Sequence, residues 1–199
     1  SSLQGIPGFS PEAFAQVHQS GEQITSVRLN PAKTKGVLPA LFAGMADTIP
    51  WANLGYYLQQ RPSFTFDPDF HAGLYYVQEA SSMFLSQAML QLADLSSPLK
   101  VLDLCASPGG KSTHLQSMLP PGSLLVSNEV IRARANVLRD NIVKWGAEQV
   151  VVTNNDPKEF SALSGFFDVL VVDAPCSGSG LFRRDPEAIS EWSLNNVQL

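Results

Sequence analysis

The feature that most constrains this chain is a series of short apolar segments alternating with helical ones between residues 78 and 173. Lys100–Leu104 (KVLDL), Ser123–Asn128 (SLLVSN), Gln149–Thr153 (QVVVT) and Asp168–Asp173 (DVLVVD) read as strands, the last two nearly all apolar. A glycine-rich turn and a helix through Met118 follow the first strand, and a helix over Ala133–Trp145 follows the second. Ahead of them, Ala80, Met83, Phe84, Ala88 and Leu92 fall at helical spacing and predict a helix over Gln78–Leu92. Nearly continuous apolar strands separated by helices imply a parallel sheet covered on both faces. Such sheets bind ligands beyond the carboxyl ends of their strands.

The preceding part has a different texture. Pro7, Pro11, Pro31, Pro39, Pro50, Pro62 and Pro68 interrupt it. Ser10 followed by Pro11 predicts a capped helix start, and Thr25–Leu29 predicts a short strand ended by Asn30-Pro31. Trp51–Phe70 resembles neither a long helix nor a clean strand. We read residues 1–70 as a small α/β module and 71–199 as the doubly wound domain. Other classes are excluded on simple grounds. No apolar run approaches the roughly 18 residues that span a bilayer, and the first residues lack the pattern of a secretory signal. Two cysteines, Cys105 and Cys176, rule out a disulfide scaffold, and with three scattered histidines they form no metal-ligand spacing. A reducing cytoplasm is the default location. The net charge of −5 argues mildly against a freestanding nucleic-acid binder. Basic residues nevertheless cluster at Arg132, Arg134, Arg139 and Lys144, and again at Arg183 and Arg184; a solvated helix face is the commoner reason for such a cluster.

Chemistry-bearing residues stand where strands end. The first strand runs into Asp103-Leu104-Cys105-Ala106-Ser107-Pro108-Gly109-Gly110-Lys111-Ser112, whose paired glycines permit close backbone approach to a ligand. Glu129 follows the second strand, a carboxylate suited to a ribose diol. Asn155-Asp156 follows the third, and Asp173-Ala174-Pro175-Cys176-Ser177-Gly178-Ser179-Gly180 the fourth. Taken singly, a Gly-Gly turn is often only a turn and a strand-end aspartate only a helix cap. Four in succession point to one shared cleft.

Two nucleotide-binding alternatives are available from the residues alone. Gly110-Lys111-Ser112 supplies the end of a phosphate-binding loop, and Val169–Asp173 resembles its magnesium-assisting strand. Cys105 stands where that motif requires its first glycine, and Pro108 removes an amide from the loop. The dinucleotide fingerprint Gly-x-Gly-x-x-Gly is absent.

Cys105–Lys111 (CASPGGK) together with DAPCSGSG at 173–180 resembles the Nop/Sun family of RNA 5-methylcytosine methyltransferases, the bacterial ribosomal-RNA members above all. Asn128-Glu129 with Arg134, Asn155-Asp156, Arg28-Leu29-Asn30-Pro31 and Tyr75-Tyr76-Val77-Gln78-Glu79-Ala80-Ser81-Ser82 fit the same pattern, so the likeness runs from about Arg28 onward. The resemblance implies a Rossmann-like S-adenosylmethionine-dependent methyltransferase core with an incomplete parallel sheet. Its substrate would be RNA, ribosomal ahead of transfer RNA. Cys105, Ala106, Ser107, Pro108, Gly109, Gly110 and Lys111 would form the cofactor loop, with Ala106 to Lys111 around the methionine part. Glu129 would hold the ribose hydroxyls with Arg134 in support, and Asp156 would lie by the adenine. Asp173 would approach the cytosine amino group and Lys111 the carbonyl oxygen, with Cys176 the thiol that assists product release. The family's attacking cysteine lies in a Thr-Cys motif on a following strand. This sequence holds no such motif, so cofactor binding without catalysis by the isolated chain is the expectation. Three other readings stay open: Cys176 as the nucleophile, a nucleotide-binding phosphate loop, and an RNA- or protein-binding module with a vestigial cleft.

Overall fold

The computed structural model describes residues 4–20, 24–35, 37–42, 44, 46–146, 148–176, 178, 180, 182 and 187–193. Residues Ser1–Ile24 and Pro175–Leu199 form one compact unit, and Thr25–Ala174 the other. In the first unit, helix α1 (Pro11–Gln19) begins as its sequence requires. The Ser10 hydroxyl accepts from the Ala13 amide, and Pro11 occupies a position whose missing N–H costs nothing.

The larger unit contains two four-stranded sheets. The first is antiparallel and pairs β1 (Thr25–Leu29) with β3 (Gly55–Leu58) on one side and β4 (Tyr75–Val77) on the other. A three-residue strand, β2 (Ala46–Thr48), pairs with the outer edge of β3. Every residue of β1 is buried. Val27 and Leu29 enter a core with Phe42, Leu58, Phe64 and Tyr75, while the Arg28 side chain reaches α5 and the Trp145 ring of α6. Asn30 ends β1 and caps α2 (Pro31–Thr34) by accepting from the Ala32 amide. The short helix α3 (Pro68–His71) is capped in the same manner by Asp67.

The predicted helix over Gln78–Leu92 begins later than its periodicity indicates. Gln78 still belongs to the antiparallel sheet, its amide donating to the Ser26 carbonyl at 3.1 Å. A 3-10 turn, Ser81–Phe84, intervenes before α4 (Leu85–Leu92).

The second sheet is the expected parallel one. It contains β5 (Lys100–Asp103), β6 (Leu124–Asn128), β7 (Val150–Thr153) and β8 (Val169–Val171) in the order β7-β6-β5-β8. Helices α5 (Gly110–Gln116) and α6 (Arg132–Trp145) follow β5 and β6. On the helix-covered face, Val101, Leu125, Val150 and Val169 share one register row and pack with Met89 and Leu115. Ala106, Leu138 and Ile142 close over Val150 and Val152. The opposite face departs from the expectation of complete cover. Its row holds Leu102, Val126, Val151 and Leu170. After β7 the chain forms a 3-10 turn, Pro157–Leu163, in place of a long helix. Phe160, Leu163, Phe166 and Phe167 shelter Val126 beside β7, and Leu170 on β8 is left 58% exposed.

Helix α7 (Glu187–Glu191) completes the elements. Arg183, Arg184, Ser177 and Ser179 lie outside the described residues. Among the described residues, no helix is long and apolar enough to cross a membrane.

Candidate functional site

The loop Cys105–Lys111 joins β5 to α5, and its shape follows from a few contacts. The Ala106 amide donates to the Asn128 carbonyl at 2.8 Å, pinning the loop to the end of β6. Gly109 has φ +110°, a backbone conformation that favours glycine, and a Cβ there would crowd Leu138 Cδ1 at 3.2 Å. The Ser107–Pro108 bond is cis. The Pro108 carbonyl accepts from Asn141 Nδ2 at 2.8 Å and from the Tyr76 hydroxyl at 3.3 Å. The Gly110 carbonyl accepts from Gln78 Nε2 at 3.2 Å. Tyr76, Gln78, Cys105, Pro108, Lys111 and Asp173 line one cleft at the carboxyl end of the parallel sheet.

Charge is arranged in two groups around this loop. Lys111 Nζ meets Asp173 Oδ2 at 2.5 Å, with the aspartate largely exposed. At the end of β5, Asp103 Oδ2 accepts from the Ser112 hydroxyl at 2.7 Å, while buried Oδ1 has no partner among the described residues. Burial raises the Asp103 carboxyl to about 6, against the opposing pull of the Ser112 hydroxyl and the Lys111 ammonium. In the second group, Glu129 is 3% exposed and accepts from the Ile131 amide at 3.0 Å. Arg134 Nη2 lies 3.5 Å from the other Glu129 oxygen and donates to the Ser107 carbonyl at 3.2 Å. The Ser107 hydroxyl donates back to the Arg134 carbonyl at 3.0 Å. Burial pushes the Cys105 thiol up, and the Glu129 and Asp103 carboxylates add to the effect, so it resists ionisation.

The fold thus gathers the loop residues with Lys111 and Asp173, and it ties Glu129 and Arg134 to the same loop through Ser107. Asp156 is exposed. Its side chain accepts from the Lys158 amide in a capping box with Glu159, while Asn155 donates through Nδ2 to Glu159. Cys176 is an exposed free thiol in the other compact unit. Of the basic cluster on α6, Arg139 pairs with neighbouring Asp140, and the Lys144 ammonium lies 4.0 Å over the Phe70 ring. Sequence reading places Asp103 at the cleft without giving it a role, and gives none to Tyr76 or Gln78. Alternation over the short segment Tyr75–Gln78 is the one local signal that the Tyr76 and Gln78 side chains share a face.

S-adenosylmethionine carries a sulfonium, an ammonium, a ribose diol and a carboxylate. Three carboxylates (Asp103, Glu129, Asp173) stand here against two cations (Lys111, Arg134), and one buried acceptor, Asp103 Oδ1, lacks a partner among the described residues. This donor set fits a ligand bearing positive charge and hydroxyl donors, and it fits a triphosphate poorly. The solved structures with this fold include that of PH0851, with a TM-score of 0.81 at 23% identity over 98% of this chain and 45% of that one. A methyltransferase homologue from Pyrococcus horikoshii has a TM-score of 0.69 at 28% identity, covering 92% of this chain and 65% of its own. Fold and cleft together define a Rossmann-like methyltransferase domain of the S-adenosylmethionine-dependent class.

Residues 89–197 match the family described as 16S rRNA methyltransferase RsmB/F, and residues 2–80 match the N-terminal domain of 16S rRNA methyltransferase RsmF. The chain belongs to this family. The ribosomal RNA small subunit methyltransferase F of Shewanella piezotolerans is 36% identical over 155 residues, 76% of this chain and 33% of that protein. Its counterpart from Escherichia coli O157:H7 is 34% identical over 182 residues, 87% of this chain and 38% of that protein. The chain therefore matches only 33% and 38% of the length of these two curated relatives. Membership also sets aside the phosphate-binding-loop alternative.

Proposed function

We propose that the chain carries the cofactor-binding part of an enzyme that methylates carbon 5 of cytosine in RNA of the small ribosomal subunit, in the cytoplasm. The observation that supports this best is the joining of Glu129, Arg134 and the Cys105–Lys111 loop through Ser107, beside the Lys111–Asp173 pair. When bound, the cofactor supplies a methyl group activated by a sulfonium. In this reading Ala106, Ser107, Pro108, Gly109 and Gly110 present backbone to its methionine part, and Cys105 lines the loop as an un-ionised thiol. Glu129, held by the Ile131 amide and Arg134, takes the ribose hydroxyls as a carboxylate acceptor. Asp156 contributes beside the adenine from the start of the turn after β7.

Carbon 5 of cytosine is a weak nucleophile until a thiolate adds at carbon 6. Asp173 would accept from the ring's amino group and Lys111 would donate to its carbonyl oxygen, holding the ring and drawing off charge as it becomes electron-rich. Cys176 would be the thiol of the release step. On the family resemblance the attacking thiol is neither Cys105 nor Cys176, so cofactor binding without turnover is expected of these 199 residues. Isothermal titration with S-adenosylhomocysteine, with ATP and magnesium in parallel, tests the reading. Binding of the former alone, weakened by Glu129→Ala, supports it. Binding of ATP alone overturns it, and RNA methylation abolished by Cys176→Ser would make Cys176 the nucleophile instead.

A further inference from the structure

The most unusual group in the larger unit is Arg28, at the fourth position of β1. It is 1% exposed, yet no carboxylate among the described residues lies within ion-pair distance. Burying an unpaired guanidinium is costly, and burial depresses this one to about 9. Its hydrogen bonds go to neutral acceptors. Nε donates to Gln78 Oε1 at 2.8 Å, Nη2 to Thr113 Oγ1 at 2.7 Å and, more weakly, to the Gly110 carbonyl at 3.4 Å, and Nη1 to Ser117 Oγ at 3.3 Å. The guanidinium also lies 4.5 Å over the Trp145 ring of α6. A group needed only to fill the space between the antiparallel sheet and the helices α5 and α6 would be cheaper as a methionine or leucine. What distinguishes Arg28 is where its donors point: Gln78, the Gly110 carbonyl and Thr113 in the first turn of α5, and Ser117 at the end of that helix.

Gln78 makes the connection specific. By donating to Oε1, Arg28 fixes the Gln78 amide so that Nε2 faces the Gly110 carbonyl. Two residues earlier on the same face of β4, the Tyr76 hydroxyl donates to the Pro108 carbonyl. The antiparallel sheet thus holds two carbonyls of the cleft loop, and Gln78 and Tyr76 line that cleft themselves.

Resting on the cofactor-binding reading above, we infer that Arg28 is a positioning residue for the cofactor: through Gln78, and beside Tyr76, it sets the geometry of the Pro108–Gly110 backbone from the neighbouring sheet. The test compares Arg28→Met, Arg28→Lys, Gln78→Met and Tyr76→Phe with the unmodified chain. Three measurements are made: S-adenosylhomocysteine affinity by titration, melting temperature, and hydrogen exchange of amides 109–113 in ligand-free protein. Tyr75→Phe, which removes the hydrogen bond to Asp67 in the core of the same sheet, is the control for stability alone. Losing a hydrogen bond from a charged donor predicts affinity weaker by about tenfold or more in Arg28→Met and Gln78→Met. Faster exchange at 109–113 should accompany it, with partial recovery in Arg28→Lys. Tyr75→Phe should lower the melting temperature and leave affinity unchanged. If Arg28→Met does not fold, Gln78→Met and Tyr76→Phe carry the test. Variants that melt earlier but bind the ligand and exchange at 109–113 like the unmodified chain would reduce Arg28 to a packing role and overturn the inference. If the unmodified chain binds no S-adenosylhomocysteine, the functional reading fails, and loop exchange in the ligand-free variants still decides this point.

Discussion

Asp103 shows how a single carboxylate reports on the site without any ligand present. An exposed aspartate ionises near 4, and burial moves this one to about 6. Between those values the folded chain holds a proton that the unfolded chain has lost. Stability contributed by the neutral form is therefore complete below about 4 and is lost as pH rises to about 6, a penalty of roughly 3 kcal/mol above that. Asp103→Asn removes the penalty and keeps an acceptor for Ser112. Its melting temperature should match the unmodified chain near pH 4 and exceed it by several degrees at pH 7; parallel curves across that range would contradict the assignment. Glu129 gives a complementary prediction. Its buried carboxylate already has the Ile131 amide and Arg134 as partners, so Glu129→Gln should fold, yet bind S-adenosylhomocysteine at least about tenfold more weakly by titration, because a charged acceptor for the ribose is gone.

At the scale of elements, the β5–α5 connection depends on one backbone position. Gly109→Ala forces an L-residue to a positive φ and brings its Cβ to 3.2 Å from Leu138 Cδ1. We expect a loss of about 1–3 kcal/mol in chemical denaturation, together with weakened cofactor binding, since the loop can relieve the strain only by moving. The strands around this loop were legible in the sequence because buried parallel strands are apolar on both faces, and each boundary fell within a residue or two, the short β8 included. The loop was legible because glycine and strand-end carboxylates are local signals. β3 and β4 were not. Four and three residues leave too little alternation to read, and β4 is defined by pairing with a strand nearly fifty residues earlier. The same periodicity hid the late start of α4, since a 3-10 turn spaces apolar residues much as an α-turn does. Arg28 was missed as a site residue for an equivalent reason: its partners in α5 and the loop lie 82 to 89 residues away.

At the scale of the larger unit, the two sheets are fastened by more than apolar contact. Asn30 Nδ2 donates to the carbonyls of Gly73 and Trp145, at 3.0 and 2.8 Å. Lys33 Nζ donates to those of Ala72 and Lys144, at 2.6 and 2.7 Å. The end of β1 thereby satisfies carbonyls at the end of α6 that would otherwise lack partners. Asn30→Ala strands buried carbonyls on both sides and should cost about 2 kcal/mol or more. In native-state hydrogen exchange, amides of β1 and of α6 should lose protection together; loss confined to one sheet would show that the two open independently.

This fastening also bears on how such a sequence can diverge. Arg28, Gln78 and the loop that presents the Gly110 carbonyl form one hydrogen-bonded set, because a change at Arg28 or Gln78, or a loop of different course, strands the donors or acceptors of the others. Recombination between distant relatives with a crossover anywhere between positions 30 and 110 would unite one parent's arginine with another's loop. The progeny that survive should be those in which both parents had already settled on the same three partners.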